Sequence, residues 1–587
     1  MSHTETAVQS PSKSRLRVGY GLVRDLLKIH PKIFAIAVAG ASVYAVCTVA
    51  SSFGVAYLVD HVILPRFETG KIDAGVYLVG AAIVICIGLL RAFGVVIRRS
   101  FAGISNWRTV ESISMQLVRH IMSQPLFWHK KKMTGDLVAR VGVDSDAAAE
   151  VLGPLPFSTS VVLLVFLTGG WLLIVDVPLG LVAISVIPIL LVLNVGYQRR
   201  IDKHYDTAQH ELGSLSSAVH ESFDGVMVVK AFGAEDRETL RLSVISTRLK
   251  EARIRAVSAR STFEALLDGV PSLVNILLLV VGAMRVDSNS MSVGELTSFI
   301  YLFTLLIFPL RIIGYVLSSV PHSASGYKRV REILDESVEL DPQTLILESS
   351  ANCGVRLEGV SFGFGKDLPD VLNDVTFEIA VGKTVVIVGA TGSGKSTLLS
   401  VMAGLLQPNH GNVWIANRSA TIVFQEPFLF SGTIRHNIDM GRALSDSVMH
   451  DSLYLAAADE FVSALDDGVN TVIGERGISL SGGQRQRISL ARAIAQQSSV
   501  LLLDDTTSAL DTVTESLVID RLRHSKNIVT TIIVASRPST IALADEVIFI
   551  ENGQVSDQGI HANLMVRNEN YRLLMQSFEH DREQGGL

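Results

Sequence analysis

Val385-Val386-Ile387-Val388-Gly389-Ala390-Thr391-Gly392-Ser393-Gly394-Lys395-Ser396-Thr397 is the stretch from which the rest of the chain is read. Thr384–Val388 is an apolar, β-branched run of the kind that forms a buried parallel strand. Gly389 and Gly394 frame a loop of the form G-x-x-x-x-G-K-[ST], and Leu398, Leu399 and Met402 then open a helix. Strand, glycine loop and helix in that order make a phosphate cradle. Glycines let backbone N–H groups close around phosphate oxygens, and a helix N-terminus favours negative charge. Lys395 reaches the β- and γ-phosphates of such a ligand, and Ser396 is placed to ligate Mg²⁺. The expected ligand is a nucleoside triphosphate, with Gly389, Thr391, Gly392, Ser393, Gly394, Lys395, Ser396 and Thr397 as its contacts. A plain glycine-rich turn is the alternative, and the flanking strand and helix speak against it.

Outward from this loop the composition divides. The chain has 587 residues, which suggests several domains. Apolar residues make up 48% and mean hydropathy is +0.38, high for a soluble protein. The excess is uneven: residues 33–320 carry long apolar runs, whereas 345–587 have the composition of a soluble α/β domain. A net charge of −6 argues against a nucleic-acid partner. Cys47, Cys86 and Cys353 lack metal-ligand spacing and fit a reducing compartment or apolar packing. Residues 1–14 read as a polar disordered tail. No apolar core precedes a cleavage site, so the apolar spans themselves are expected to direct insertion.

Six spans are expected, at about 33–58, 75–97, 151–174, 179–197, 266–284 and 293–317. The first is 26 uncharged residues, roughly 39 Å of helix, enough to cross a bilayer. Arg15 to Lys32 mixes basic and apolar residues, as a surface-lying amphipathic helix does. Connections at about 59–74, 175–178 and 285–292 are short, the middle one carrying Asp176-Val177-Pro178. Those at about 98–150 and 198–264 are long and basic, with Arg98, Arg99, Arg108, Arg119 and Lys130–Lys132 in the first, and Arg199, Arg200, Lys203, Arg253, Arg255 and Arg260 in the second. The positive-inside rule puts these connections and both termini in the cytoplasm. Their helical pattern predicts that the spans run on well beyond the membrane, reversing near Phe127–Arg140 and Asp224–Glu235. Arg91, Asp268 and Arg311 fall in or beside spans; each marks either a functional site or a side chain that snorkels or faces water. No histidine or acidic relay crosses the spans, so proton coupling finds no support.

The soluble half, expected at 353–575 after a linker at 334–352 and before a tail at 576–587, carries further signals. Phe364 lies some 30 residues before the glycine loop, where an aromatic either stacks on an adenine or packs in the core. Thr421–Phe424 reads as a short strand ending in Gln425. Ser481, Gly482, Gly483 and Gln484 precede a helix at Arg485–Ala495 and form a second anion site. Val500–Leu503 is a buried strand ending in Asp504, placed to hold Mg²⁺ through water beside Ser396.

Taken together these motifs resemble an ATP-binding cassette (ABC) transporter, specifically an exporter-type half-transporter with six helices fused to one cassette. The likeness covers about residues 20–575. It implies a membrane all-α domain (15–333) with long cytoplasmic helical extensions, followed by an α/β P-loop NTPase domain. It assigns Walker A to Gly389–Thr397, the Q-loop glutamine to Gln425, the signature to Leu480–Gln484, Walker B to Leu501–Asp504 and the D-loop to Ser508–Asp511. Phe364 matches the adenine-stacking aromatic, Gly474–Gly477 the segment that meets the coupling helices, and Thr134–Leu137 and Val229–Phe232 the two cytoplasmic loop motifs, of which the first rests on cassettes and the second reaches the opposite subunit. The resemblance implies ATP and Mg²⁺ as cofactors, with Gln425 also at the metal.

Two positions depart from the family. Where it places Glu after the Walker B aspartate as general base, this chain has Asp505. Where its switch motif has His, this chain has Ser536. Asp is one methylene shorter than Glu, and serine lacks the reach and charge of imidazole. The resemblance is therefore to the degenerate-site subunit of a heterodimeric bacterial exporter in the cell membrane, with Ser481–Gln484 completing a partner's site in trans. A slow homodimer is the alternative. Function reads as ATP-driven transport of an amphiphilic or hydrophobic solute by alternating access, in the export direction. Alternatives are an exporter-fold importer of an iron-chelating compound and an ATP-gated membrane regulator. Six spans exclude the cassette proteins that act on nucleic acid.

Overall fold

The computed structural model describes residues 21–69, 74–338, 346–348, 353–365, 368–474, 477, 479–506, 510–525 and 530–584. The tail at 1–14, most of the linker at 334–352, Glu475, Arg476, Ser508, Ala509 and the side chain of Arg311 lie outside the described residues. Two compact units result. One takes the chain up to Ser123 and from Met133 to Ser337, the other Gln124–Lys132 and the chain from Val338 onward.

The first unit is helical. Its long helices are α1 Pro31–Leu58, α2 Ala74–Met122, α3 Leu155–Val175, α4 Val177–Asp224, α5 Glu235–Asp287 and α6 Val293–Leu334. Each of the six apolar stretches begins inside or runs into one of these helices. Pro31 opens α1, where its missing N–H costs no hydrogen bond. The connection expected at 59–74 is largely helical: α1 continues through a π-turn at Val59–Ile63 into Leu64–Thr69. Between α3 and α4 the break narrows to Asp176, whose carboxylate accepts the Leu179 N–H at 2.9 Å and Arg285 Nε and Nη2 at 2.9 and 2.6 Å. Ser292 and Glu295 form a capping box at the start of α6. Asp60 accepts from Ser292 Oγ at 2.6 Å and from Gly294 N–H at 2.7 Å, tying the end of α1 to that cap.

Helices α2, α4 and α5 have 49, 48 and 53 residues, roughly 70–80 Å each. About 20 residues suffice to cross a hydrocarbon core, so more than half of each helix extends past it. Among the described residues, four helical stretches are long and apolar enough to cross a membrane: Pro31–Phe67, Gly75–Met122, Thr134–Val175 and Glu235–Asp287. Shorter apolar runs, Val177–Leu190 and Val293–Ile307, open α4 and α6. Leu89, Phe166 and Leu273 point outward, 68%, 74% and 69% exposed, which suits lipid and not water. Helices α1 and α2 approach closely because a Cβ at Gly40 would meet Ile97 Cγ2 at 2.7 Å, and one at Gly94 the Gly40 carbonyl at 3.0 Å. The chain reverses in short helices at both expected places, Leu126–Lys131 and Val226–Ala231.

The second unit is built on two sheets. Strands β1 Ile346–Glu348, β2 Cys353–Phe362, β3 Leu372–Ala380 and β5 His410–Ile415 form one, in the order β1-β5-β2-β3. The other contains β4 Thr384–Val388, β6 Ala420–Val423, β7 Val500–Asp504, β8 Thr530–Val534, β9 Glu546–Glu551 and β10 Gln554–Gly559, in the order β10-β9-β4-β8-β7-β6. It is parallel except for the β9–β10 hairpin. Strand β4 is buried on both faces. Val386 and Val388 join one hydrophobic cluster, with Ile488 and Val518, and Val385 and Ile387 join the other, with Leu398 and Leu502. Of the stretch expected as a tail at 576–587, residues 576–584 continue the helix Glu569–Gln584, and 585–587 lie outside the described residues. Tyr571 and Met575 are buried one turn apart, and Phe578 follows at helical spacing against the same core.

Candidate nucleotide-binding site

Register brings the site together. Ile387 of β4 pairs with Val534 of β8, and Val534 pairs with Asp504 of β7. Three strands thus end at one level, and the chain leaves them into the glycine loop, into Asp505 and towards Ser536. Open parallel sheets bind ligands at the carboxyl ends of their strands for this reason. Here those ends border a cavity of about 400 Å³ lined by Gly389, Thr391, Gly392, Gly394, Lys395, Ser396, Thr397, Gln425, Asp504, Asp505 and Ser536, among others.

The glycine loop turns through left-handed backbone at Gly392 (φ +82°) and Gly394 (φ +99°), which a side chain would strain. A Cβ on Gly389 would come within 2.4 Å of the Ile550 carbonyl. Lys395 folds back over the loop, donating to the carbonyls of Gly389 and Ala390 at 2.8 and 2.7 Å. Burial draws its ammonium pKa down, against the pull of Asp504 and Asp505. Ser396 Oγ donates to Asp504 Oδ1 at 2.9 Å. Burial pushes the Asp504 carboxyl up, opposed by Ser396 and Lys395. Asp505 is raised by burial and then by Asp504, with Arg537 opposing. Gln425 Nε2 donates to Asp505 Oδ2 at 3.3 Å.

These residues fit a magnesium triphosphate. One buried carboxyl that accepts from a hydroxyl, beside a second that is half-buried, is the environment a hard cation relieves. Ser393 Oγ is buried with no partner among the described residues, and lies in a loop whose glycines leave room for phosphate. Lys395, which among the described residues hydrogen-bonds to the carbonyls of Gly389 and Ala390, has its charge available to an anion.

Asp505 and Ser536 form another edge of the cavity. Asp505 sits at φ +46°, in the left-handed region that Asp tolerates better than most residues. Its backbone N–H donates to the Val534 carbonyl at 3.2 Å, which fixes where its short side chain begins. After Ser536 the chain is pinned by Arg537, which donates to the Leu510 carbonyl and to buried Glu515, both at 2.8 Å.

Two expected groups lie elsewhere. Ser481 caps the helix Gly482–Ile494 in a capping box with Gln484, whose N–H donates to Ser481 Oγ at 3.3 Å while the Ser481 N–H donates to Gln484 Oε1 at 2.9 Å. Ser481 and Gly482 are exposed, and none of Leu480–Gln484, Gly483 included, lines the cavity. Phe364 borders a separate cavity of about 360 Å³ with Pro125, Phe127 and Phe362. In the other direction, Val371 and Phe578 reach the phosphate cavity without any motif to announce them.

Residues 34–310 match the model of the ABC transporter transmembrane region, and residues 372–508 that of the ABC transporter domain. A Bacillus subtilis protein described as an uncharacterized ABC transporter ATP-binding protein, YwjA, is 30% identical over 78% of this chain and 83% of its own length. The chain belongs to the ABC transporter family. Its cassette binds ATP, and its ATPase activity is coupled to transport across a membrane. An ATP-dependent lipid A-core flippase of Idiomarina loihiensis is 29% identical over 86% of this ABC transporter chain and 90% of its own length. The solved structure of a bacterial Atm1-family ABC exporter with ATP bound shares the fold, with a TM-score of 0.72 at 23% identity, over 92% of this chain and 98% of that one.

Proposed function

We propose that this chain is one half of a heterodimeric exporter, whose own site holds Mg²⁺ and ATP but hydrolyses ATP slowly. The observation that carries this is the pair Asp505 and Ser536, standing in a cavity whose phosphate-binding part is otherwise complete. Loop N–H groups and Lys395 bind the phosphates. Ser396, Asp504 through water and Gln425 hold Mg²⁺, which when bound neutralises charge on the β- and γ-phosphates. Phe364 stacks on the base. Asp505 is the residue left to take a proton from the attacking water. A base must come within about 2.6–3.2 Å of its proton or act through one water, and Asp505 starts one methylene short from a fixed backbone. Ser536 brings no imidazole to the γ-phosphate.

The signature turn supports the other half of the reading. Ser481 and Gly482 are exposed, Gly483 is half-buried, and all three lie at a capped turn outside their own chain's cavity, as a group that serves a partner's ATP must be. A homodimer would contain two impaired sites, whereas a partner with Glu and His at the two positions would give one competent site. Six membrane spans, cytoplasmic termini and a cytoplasmic cassette agree with the basic long connections. An amphiphilic or hydrophobic cargo moved outward agrees with the apolar helices and with the flippase among the relatives.

The purified full-length chain, alone in nanodiscs, is expected to bind Mg²⁺ and ATP yet turn over roughly 10²-fold or more below the assembled transporter, the scale of a lost general base. Turnover at the rate of a complete exporter would sink the proposal.

A further inference from the structure

The base-stacking aromatic carries a second ring on it. Phe127 lies over Phe364 with centroids 5.8 Å apart and planes inclined by 25°, and Phe362 meets Phe364 edge-on at 5.1 Å and 87°. Phe127 belongs to the short helix Leu126–Lys131, which packs within the same unit as the cassette. Lys131 Nζ stands 3.9 Å from the centroid of the Phe127 ring. Both Phe127 and Phe364 are half-buried against the hydrophobic cluster between the two sheets. At 5.8 Å the two rings leave no slot for a third. A base stacking on Phe364 must use the face that Phe127 does not cover.

The geometry points to Phe127 as a positioning residue for the nucleotide base: it fixes the plane of Phe364 from behind, so that base occupancy and the placement of the Leu126–Lys131 helix depend on each other. Three features support this. Phe364 sits in a loop between β2 and β3, where its backbone alone does not fix its ring. The rings that touch it come from two directions, one face-on and one edge-on, and together they leave few orientations open. The helix bearing Phe127 follows α2 by only a few residues, so a shift of the ring is a shift of the segment that joins two membrane helices in sequence. A plain packing role for Phe127 would affect stability without regard to the base.

This rests on Phe364 being the base-stacking residue, and the test separates the two ideas. Nucleotide affinity of the full-length chain in nanodiscs is measured for Phe364→Ala, Phe127→Ala, Phe127→Leu, Phe127→Tyr and the double alanine variant, with ATP and with inorganic tripolyphosphate, which has no base. Phe127→Ala is expected to weaken ATP roughly two- to twelvefold, the range an aromatic pair carries, while leaving tripolyphosphate unchanged. Phe127→Leu, which keeps apolar volume but not a flat face, should weaken ATP similarly, and Phe127→Tyr should retain it. The double variant should be no worse than Phe364→Ala alone. The inference is overturned if Phe127→Ala and Phe127→Leu bind ATP like the parent, if ATP and tripolyphosphate weaken equally, or if the two alanine effects simply add. If Phe364→Ala itself leaves ATP affinity unchanged, the base-stacking assignment fails first and takes this inference with it.

Discussion

Within one cassette, the phosphate cradle and the signature turn are organised by backbone geometry, whereas the wall that bears Asp505 and Ser536 is made of side chains at strand ends. The cradle depends on backbone: two glycines in left-handed conformation, a helix N-terminus, and a lysine held by carbonyls. The signature turn is equally self-contained, a capping box on a helix of 13 residues. The hydrolytic wall depends instead on side-chain reach from strand ends fixed by sheet register. On the reading proposed above, a loss of one methylene there cannot be recovered by moving the chain. The contrast would make binding and turnover separable in this fold, because the cradle is shaped largely by backbone and the wall by side-chain length.

The largest expected effect breaks the comparison at the signature. Ser481→Arg puts a bulky cation on an exposed cap that a partner-bound γ-phosphate must approach. ATPase and vesicle transport by the assembled transporter should fall by roughly 10²–10³-fold, as when one group stabilising a transition state is removed. Unchanged activity would mean that this turn serves no competent site.

Next in size is the repair of the wall. Asp505→Glu combined with Ser536→His should raise hydrolysis at this chain's site by about 10²-fold or more, the scale general-base catalysis supplies. Single-turnover assays with the partner's own site disabled would report it. If ATP stays bound and turnover does not move, Thr506, whose buried hydroxyl has no hydrogen-bond partner among the described residues, is the next position to examine.

A smaller effect sharpens the asymmetry. If the proposed reading holds, Asp505→Asn removes a base already too short, and should leave most of the assembled transporter's ATPase and transport intact. Should it prove more damaging than Ser481→Arg, the two regions do not divide the work as described.

The smallest expected effect is on pH dependence. Burial raises the folded pKa of Asp504 and Asp505 above the ordinary carboxylate value of about 3.9. A carboxyl raised on folding contributes stability below its unfolded pKa and loses that contribution as pH rises through its folded pKa. The nucleotide-free cassette should therefore be slightly less stable at neutral than at mildly acidic pH on their account, and Mg²⁺ with ATP should reverse this. Melting curves with and without the ligand, for the parent, for Asp504→Asn and for the Asp504→Asn, Asp505→Asn double variant, should show the difference shrink in the first variant and disappear in the second.

Much of this was legible in advance for physical reasons. The glycine loop reads itself because its conformation needs glycine and its chemistry needs Lys395 and Ser396. Apolar runs longer than 20 residues admit few folds, and the reversals fell at Leu126–Lys131 and Val226–Ala231 as their position between long amphipathic stretches required. Other features had no local signal. The helical continuation of α1 to Thr69 mixes charged residues and Pro65 with apolar ones, and so reads as a connection. Asp176 caps one helix and binds Arg285 more than a hundred residues away.

By itself the sequence determined the two halves, the motif order and the two departures at Asp505 and Ser536, since these lie in residue identity and short-range spacing. Only the tertiary structure decided that β4, β7 and β8 end at one level, that Phe578 and Val371 wall the phosphate cavity, that the signature turn lies outside that cavity, and that Phe364 is backed by Phe127. Those facts depend on register and on packing between residues far apart in the chain, which no local pattern of side chains encodes.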